Sequence, residues 1–167
     1  MFVIINLVGV FNGNLHAVHA EGGRIFAQVM HAGRVTHEDT NGGRTVVGPS
    51  AIAIDGMTRT YKGKQPYPVP HALTEDELPG VIEEFVQGSL NAIRAGFDGV
   101  ELHGANGYLL HEFLSPAANQ REDQYGGSPE NRTRFVLEVP DDYEMEWDHT
   151  SLVVPADDFP VTLRPLA

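Results

Sequence analysis

The 167-residue sequence contains no cysteine. Disulfides, cysteine-bound zinc and thiolate nucleophiles are excluded at once, and the composition fits a cytoplasmic protein. Basic residues are scarce as well: 11 Lys and Arg stand against 23 Asp and Glu, a formal net charge of -12. Nucleic acid and anionic membrane surfaces call for clustered Lys and Arg, so neither is an expected partner. Long apolar runs are also missing. The stretch from Phe2 to Phe11 falls short of the roughly 20 residues a membrane span needs, and it lacks the basic opening of a secretory signal. With 41% hydrophobic residues, the chain can still bury a core of ordinary size.

Charge is distributed unevenly. From Pro140 onward seven acids (Asp141, Asp142, Glu144, Glu146, Asp148, Asp157 and Asp158) face one base, Arg164, and four prolines interrupt the same stretch. Neither helical nor strand periodicity can be followed far there. Residues 140–167 therefore read as an acidic, Pro-rich tail, distinct from a domain spanning 1–139.

Within that domain strand and helix alternate. Arg24-Ile-Phe-Ala-Gln-Val-Met30 is a short, mostly apolar run after two glycines, as expected of a buried parallel strand. A Gly- and Pro-rich segment follows from about Gly33 to Pro70; at that length it predicts a functional loop or a hairpin excursion. Thr74 then offers an N-cap, Glu77 a capping box, and Leu73 a staple to Leu78. Leu78, Val81, Ile82, Phe85, Ala92 and Ile93 recur at helical spacing, and Gly96 closes the helix. Gly99-Val-Glu-Leu-His103 begins a second strand almost at once. A further helix is expected from Ser128-Pro129, through Phe135 and Leu137, to a stop at Pro140. This order predicts an α/β fold with a parallel sheet, open or closed.

The segment His103-Gly-Ala-Asn-Gly-Tyr-Leu-Leu110 sits where a parallel strand gives way to a loop, the usual place for an α/β active site. An imidazole, a carboxamide and a phenol stand among two glycines, and all three can donate hydrogen bonds. Such a cluster suits stabilisation of a developing oxyanion and delivery of a proton; equally, its polar groups could merely cap a turn. By strand parity Gln28 shares a face with Phe26 and Met30, and Glu101 shares one with His103. Gln28 bonds either to neighbours or to a heteroaromatic ligand, and parity alone favours the neighbours. His16 and His19 lie one helical turn apart without carboxylate company, so no metal site is expected. His31 could line a pocket or cap a turn, whereas His37, His71, His111 and His149 have no informative sequence neighbours.

Several segments, in order, carry a resemblance. Ile25-Phe-Ala-Gln-Val-Met-His-Ala-Gly-Arg34, Gly48-Pro-Ser-Ala-Ile-Ala53, Tyr67-Pro-Val-Pro70, His103 to Leu110, Asn119-Gln-Arg-Glu-Asp-Gln-Tyr-Gly-Gly-Ser128 and Glu130-Asn-Arg-Thr-Arg-Phe135 together resemble the Old Yellow Enzyme family, the NADH:flavin oxidoreductases. The likeness covers roughly Leu15 to Val139. It implies a (β/α)8 TIM barrel with FMN at its C-terminal mouth and NAD(P)H as electron donor. Gln28 matches the residue that bonds the flavin's pyrimidine edge. His103 and Asn106 match the pair that holds the carbonyl or nitro oxygen of an activated alkene, and Tyr108 matches the proton donor. The flavin would pass a hydride to the β-carbon and Tyr108 a proton to the α-carbon. Met30 stands where the family often has Trp.

A complete barrel of this kind takes about 250 residues. The resemblance therefore implies a partial barrel, from about strand 3 to helix 5. Two sheet edges would then be left open to self-association. The alternative to an ene-reductase is a non-catalytic fragment without stable FMN binding.

Overall fold

The computed structural model describes residues 12–141, 144–145 and 163–164. The Phe2–Phe11 run and most of the acidic tail lie outside them. Helix α1 (Asn12–Ala20) turns at Gly22, whose φ of 73° suits glycine, into strand β1 (Phe26–Val29). Side chains alternate along β1: Ala27 and Val29 are buried while Phe26 and Gln28 are exposed. Strand β6 (Gly99–Leu102) pairs with β1 in parallel, setting Phe26 against Gly99 and Gln28 against Glu101. Asp98 secures this edge of the sheet. Its carboxylate accepts the Ile25 N–H at 2.8 Å and lies 2.8 Å from His19 Nε2.

The expected excursion between the strands does contain a hairpin. Strands β3 (Met57–Thr60) and β4 (Gly63–Pro66) pair antiparallel. The Thr60 hydroxyl accepts the Lys62 N–H and donates to the Gly63 carbonyl, which fastens the turn. Two very short strands flank it, β2 (Val47–Gly48) and β5 (His71–Ala72), and they pair in parallel.

A 3-10 turn (Glu75–Glu77) leads into helix α2 (Leu78–Arg94). The Glu77 carboxylate reaches back to the Thr74 N–H at 2.8 Å, so the capping box forms as expected. Gly96, at φ 98°, terminates the helix. Leu78, Val81, Ile82, Phe85 and Val86 face a core shared with Val29, Leu109, Leu110, Phe113 and Phe135. Helix α3 (Leu109–Leu114) and helix α4 (Pro129–Asp141) meet through Phe113 and Phe135, whose rings stack at 4.1 Å.

The Ser128 hydroxyl accepts the Asn131 N–H and caps α4. Two details differ from expectation. Helix α4 continues one residue past Pro140, within the latitude of helix ends, and Leu137 faces solvent at 59% exposure. Strands β7 (Glu144–Met145) and β8 (Leu163–Arg164) pair antiparallel beyond it. Among the described residues, β1 and β6 have only each other as partners.

Candidate active site

Strand β6 ends at Leu102, but the ladder reaches one residue further: the His103 N–H donates to the Val29 carbonyl at 2.9 Å. His103 thus stands at the C-terminal lip of the two-stranded parallel sheet. The chain then turns through Asn106 at φ 56° and Gly107 at φ 82°. Asparagine tolerates this left-handed region better than most residues. The double turn brings Asn106 back to His103, with Asn106 Nδ2 and His103 Nε2 3.5 Å apart. That distance is the outer limit of a hydrogen bond, so both groups can reach a single atom placed beside them.

Tyr108 completes the group. Its ring centroid lies 5.2 Å from that of His103, at a tilt of 54°. Two backbone bonds fix the turn: Leu109 N–H to the His31 carbonyl, and Glu112 N–H to the Tyr108 carbonyl. The His111 Nδ1 accepts the Gly107 N–H at 2.9 Å, a role its sequence neighbours did not announce. His31 caps the turn after β1 by accepting the Gly33 N–H on Nδ1. Burial pushes its imidazole down to about 3, so it is neutral at physiological pH.

Gln28 lies on the paired strand, and its carboxamide donates to Glu101 Oε1 at 3.1 Å. Among the described residues, that bond leaves the carbonyl oxygen and second amide proton unused. A flavin's pyrimidine edge alternates carbonyls and N–H groups, which a carboxamide can meet with both functions. The donor set therefore fits the ring end of FMN. Two guanidiniums that could otherwise meet a phosphate are engaged inside the scaffold. Arg121 binds Asp123 and the Pro49 and Leu73 carbonyls, and Arg132 binds the Leu114 and Gly127 carbonyls. No group of three or more His, Asp or Glu among the described residues could hold a metal. No helix among them is long and apolar enough to cross a membrane.

The sequence matches the NADH:flavin oxidoreductase / NADH oxidase family over residues 11–150. The chain belongs to this family. Among the relatives of this family member is a probable flavin mononucleotide-dependent alkene reductase from Leishmania infantum. It is 50% identical over 131 residues, covering 75% of this chain and 36% of that protein. A putative 12-oxophytodienoate reductase-like protein 2A from Arabidopsis thaliana is 49% identical, covering 74% of this chain and 45% of the relative.

Solved structures agree. The Old Yellow Enzyme homologue of Zymomonas mobilis superposes with a TM-score of 0.78 at 41% identity, over 83% of this chain and 39% of that one. Morphinone reductase in complex with tetrahydroNAD gives 0.75 at 44% identity, over 83% and 40%. The fold is accordingly part of an Old Yellow Enzyme TIM barrel, and the chain spans less than half the length of these relatives.

Sequence reasoning passed over one polar residue beside the site. Glu112 is 1% exposed, and its Oε1 accepts the Arg34 N–H at 2.9 Å. A helix of six residues carries too little periodicity to announce which of its members is buried.

Proposed function

We propose that this chain carries the substrate-binding part of an FMN-dependent ene-reductase, which uses NAD(P)H to reduce activated alkenes such as enones or nitroalkenes. The observation that carries the reading is the gathering of His103, Asn106 and Tyr108 at the end of β6, beside Gln28 on the paired strand. Gln28 would hold the pyrimidine edge of the flavin. His103 and Asn106 would hold the substrate oxygen and stabilise the charge that develops on it. Tyr108 would donate its phenolic proton to the α-carbon. When bound, reduced FMN supplies the hydride that reaches the β-carbon.

The reading includes a span from about barrel strand 3 to helix 5 for residues 1–139, with 140–167 as a separate acidic tail. It includes the cytoplasm as compartment, where reduced nicotinamide is available. The test is a chain extended to the length of its relatives. There Tyr108→Phe should slow alkene reduction while sparing flavin reduction by NAD(P)H, and removal of His103 and Asn106 should also weaken phenolic ligands. Equal slowing of both half-reactions would reject the assignment of Tyr108.

A second reading, a non-catalytic portion without stable flavin, draws support from the internal engagement of Arg121 and Arg132. The flavin absorbance of the chain extended to the length of its relatives separates the two.

A further inference from the structure

Behind the turn that presents Tyr108 lies a socket built around one carboxyl group. Glu112 projects from α3 into a space that two glycines leave open. A Cβ at Gly33 would stand 2.2 Å from Glu112 Oε1, and one at Gly48 would stand 3.2 Å from Oε2. Gly33 belongs to the turn after β1 and Gly48 to β2, so the side chain touches two segments far from it in sequence. The Arg34 N–H closes the socket by donating to Oε1 at 2.9 Å.

Arg34 in turn sends its Nη1 to the Ile52 carbonyl at 2.9 Å. Glu112 Oε2 and Arg34 Nε are the buried side-chain atoms that lack a partner among the described residues. The carboxyl is closed off by burial, which pushes it up to about 8 despite the neighbouring guanidinium.

The elements joined here are the ones that carry the candidate site. One helical turn before Glu112 is Tyr108, whose carbonyl accepts the Glu112 N–H at 2.8 Å. The next residue, Leu109, bonds the His31 carbonyl in the turn that leaves β1, and β1 carries Gln28. The strand that would face the flavin and the helix that starts beside the proton donor are thus fastened at two points. One is a main-chain bond and the other is the Glu112 carboxyl.

We propose that Glu112 is the positioning residue of this site: its buried carboxyl locks the Gly33–Arg34 turn to α3 and so fixes the backbone from which Tyr108 projects. The inference deepens the functional reading given above and rests on it for the meaning of Tyr108. The lock itself can be observed without catalysis. Glu112 touches neither substrate nor flavin in this account and acts only through Tyr108.

Fluorine NMR of the full chain labelled with fluorotyrosine provides the test. The chain has five tyrosines, and Tyr108→Phe identifies the Tyr108 signal by its disappearance. Glu112→Gln keeps the shape and one acceptor, and should leave the Tyr108 signal single and in place. Glu112→Ala should shift or split it while the Tyr125 signal stays. Gly33→Ala, which drives a methyl into the carboxyl without removing it, should do the same.

A Tyr108 signal unmoved in Glu112→Ala would overturn the proposal. So would a collapse of all five signals together, since the residue would then be structural in general. An unsubstituted chain whose Tyr108 signal coincides with that of the denatured chain would also overturn it. Failure of the functional reading appears elsewhere, as normal alkene reduction by the extended Tyr108→Phe enzyme with the lock intact.

Discussion

At neutral pH burial holds both His31 and Glu112 in their uncharged forms, yet the two pull stability in opposite directions. The Glu112 carboxyl goes from 4.5 in an unfolded chain to about 8 when folded. A raised value means that its stabilising contribution is fully present below 4.5 and is lost as pH rises through 8. His31 goes from 6.5 to about 3, so its contribution is present above 6.5 and is lost as pH falls toward 3. Glu112→Gln, a permanently neutral replacement, should therefore flatten the decline in stability between about pH 5 and 8, by up to roughly a few kcal/mol. Urea midpoints measured across that range will check it; an unchanged slope would mean that the carboxyl titrates normally. Asn106 invites a second substitution pair. Ala at φ 56° costs about 1 kcal/mol that Gly avoids, so Asn106→Ala should unfold earlier than Asn106→Gly. Both should lose the donor beside His103.

Among the elements, α2 was the most legible in the sequence. Its capping box, apolar stripe and terminal glycine are local signals, and local signals do not depend on the rest of the fold. The pairing of β1 with β6 could be anticipated in kind from two apolar runs. Its register, which sets Gln28 against Glu101, could not, because the intervening segment fixes it. Strands β2 and β5 are two residues each and carry no pattern at all. The gathering of His103, Asn106 and Tyr108 was legible because all three lie within six residues of one turn. The Glu112 socket was not, since its glycines come from Gly33 and Gly48. The contact between α3 and α4 gives an element-scale prediction. Phe135 is fully buried against Phe113, so Phe135→Ala should destabilise the chain by about 3–5 kcal/mol. A shift of less than about 1 kcal/mol in denaturation would show that the two helices do not rely on that stack.

At the scale of the whole molecule, the question is whether these 167 residues hold a flavin by themselves. Gln28 offers one contact to the ring edge, and Arg121 and Arg132 are already bonded within the scaffold. An FMN phosphate needs charge-assisted bonds of its own, and each hydrogen bond to a charged group contributes about 1.5–3 kcal/mol. Without several of them the dissociation constant should rise by orders of magnitude, because every 1.4 kcal/mol or so is a factor of about ten. The sheet adds a second consequence. Among the described residues β1 and β6 are each paired on one edge, and Phe26, Met57, Val69 and Leu137 are exposed at 37%, 57%, 67% and 59%. Open strand edges and exposed apolar side chains favour association. The purified chain should therefore be colourless, should bind added FMN weakly or not at all, and should elute larger than a monomer. Gel filtration with absorbance monitored at the flavin band checks all three together. A yellow monomer that keeps stoichiometric FMN through the column and reduces an enone with NADPH would contradict the prediction. The phosphate would then have to be held by cations other than Arg121 and Arg132.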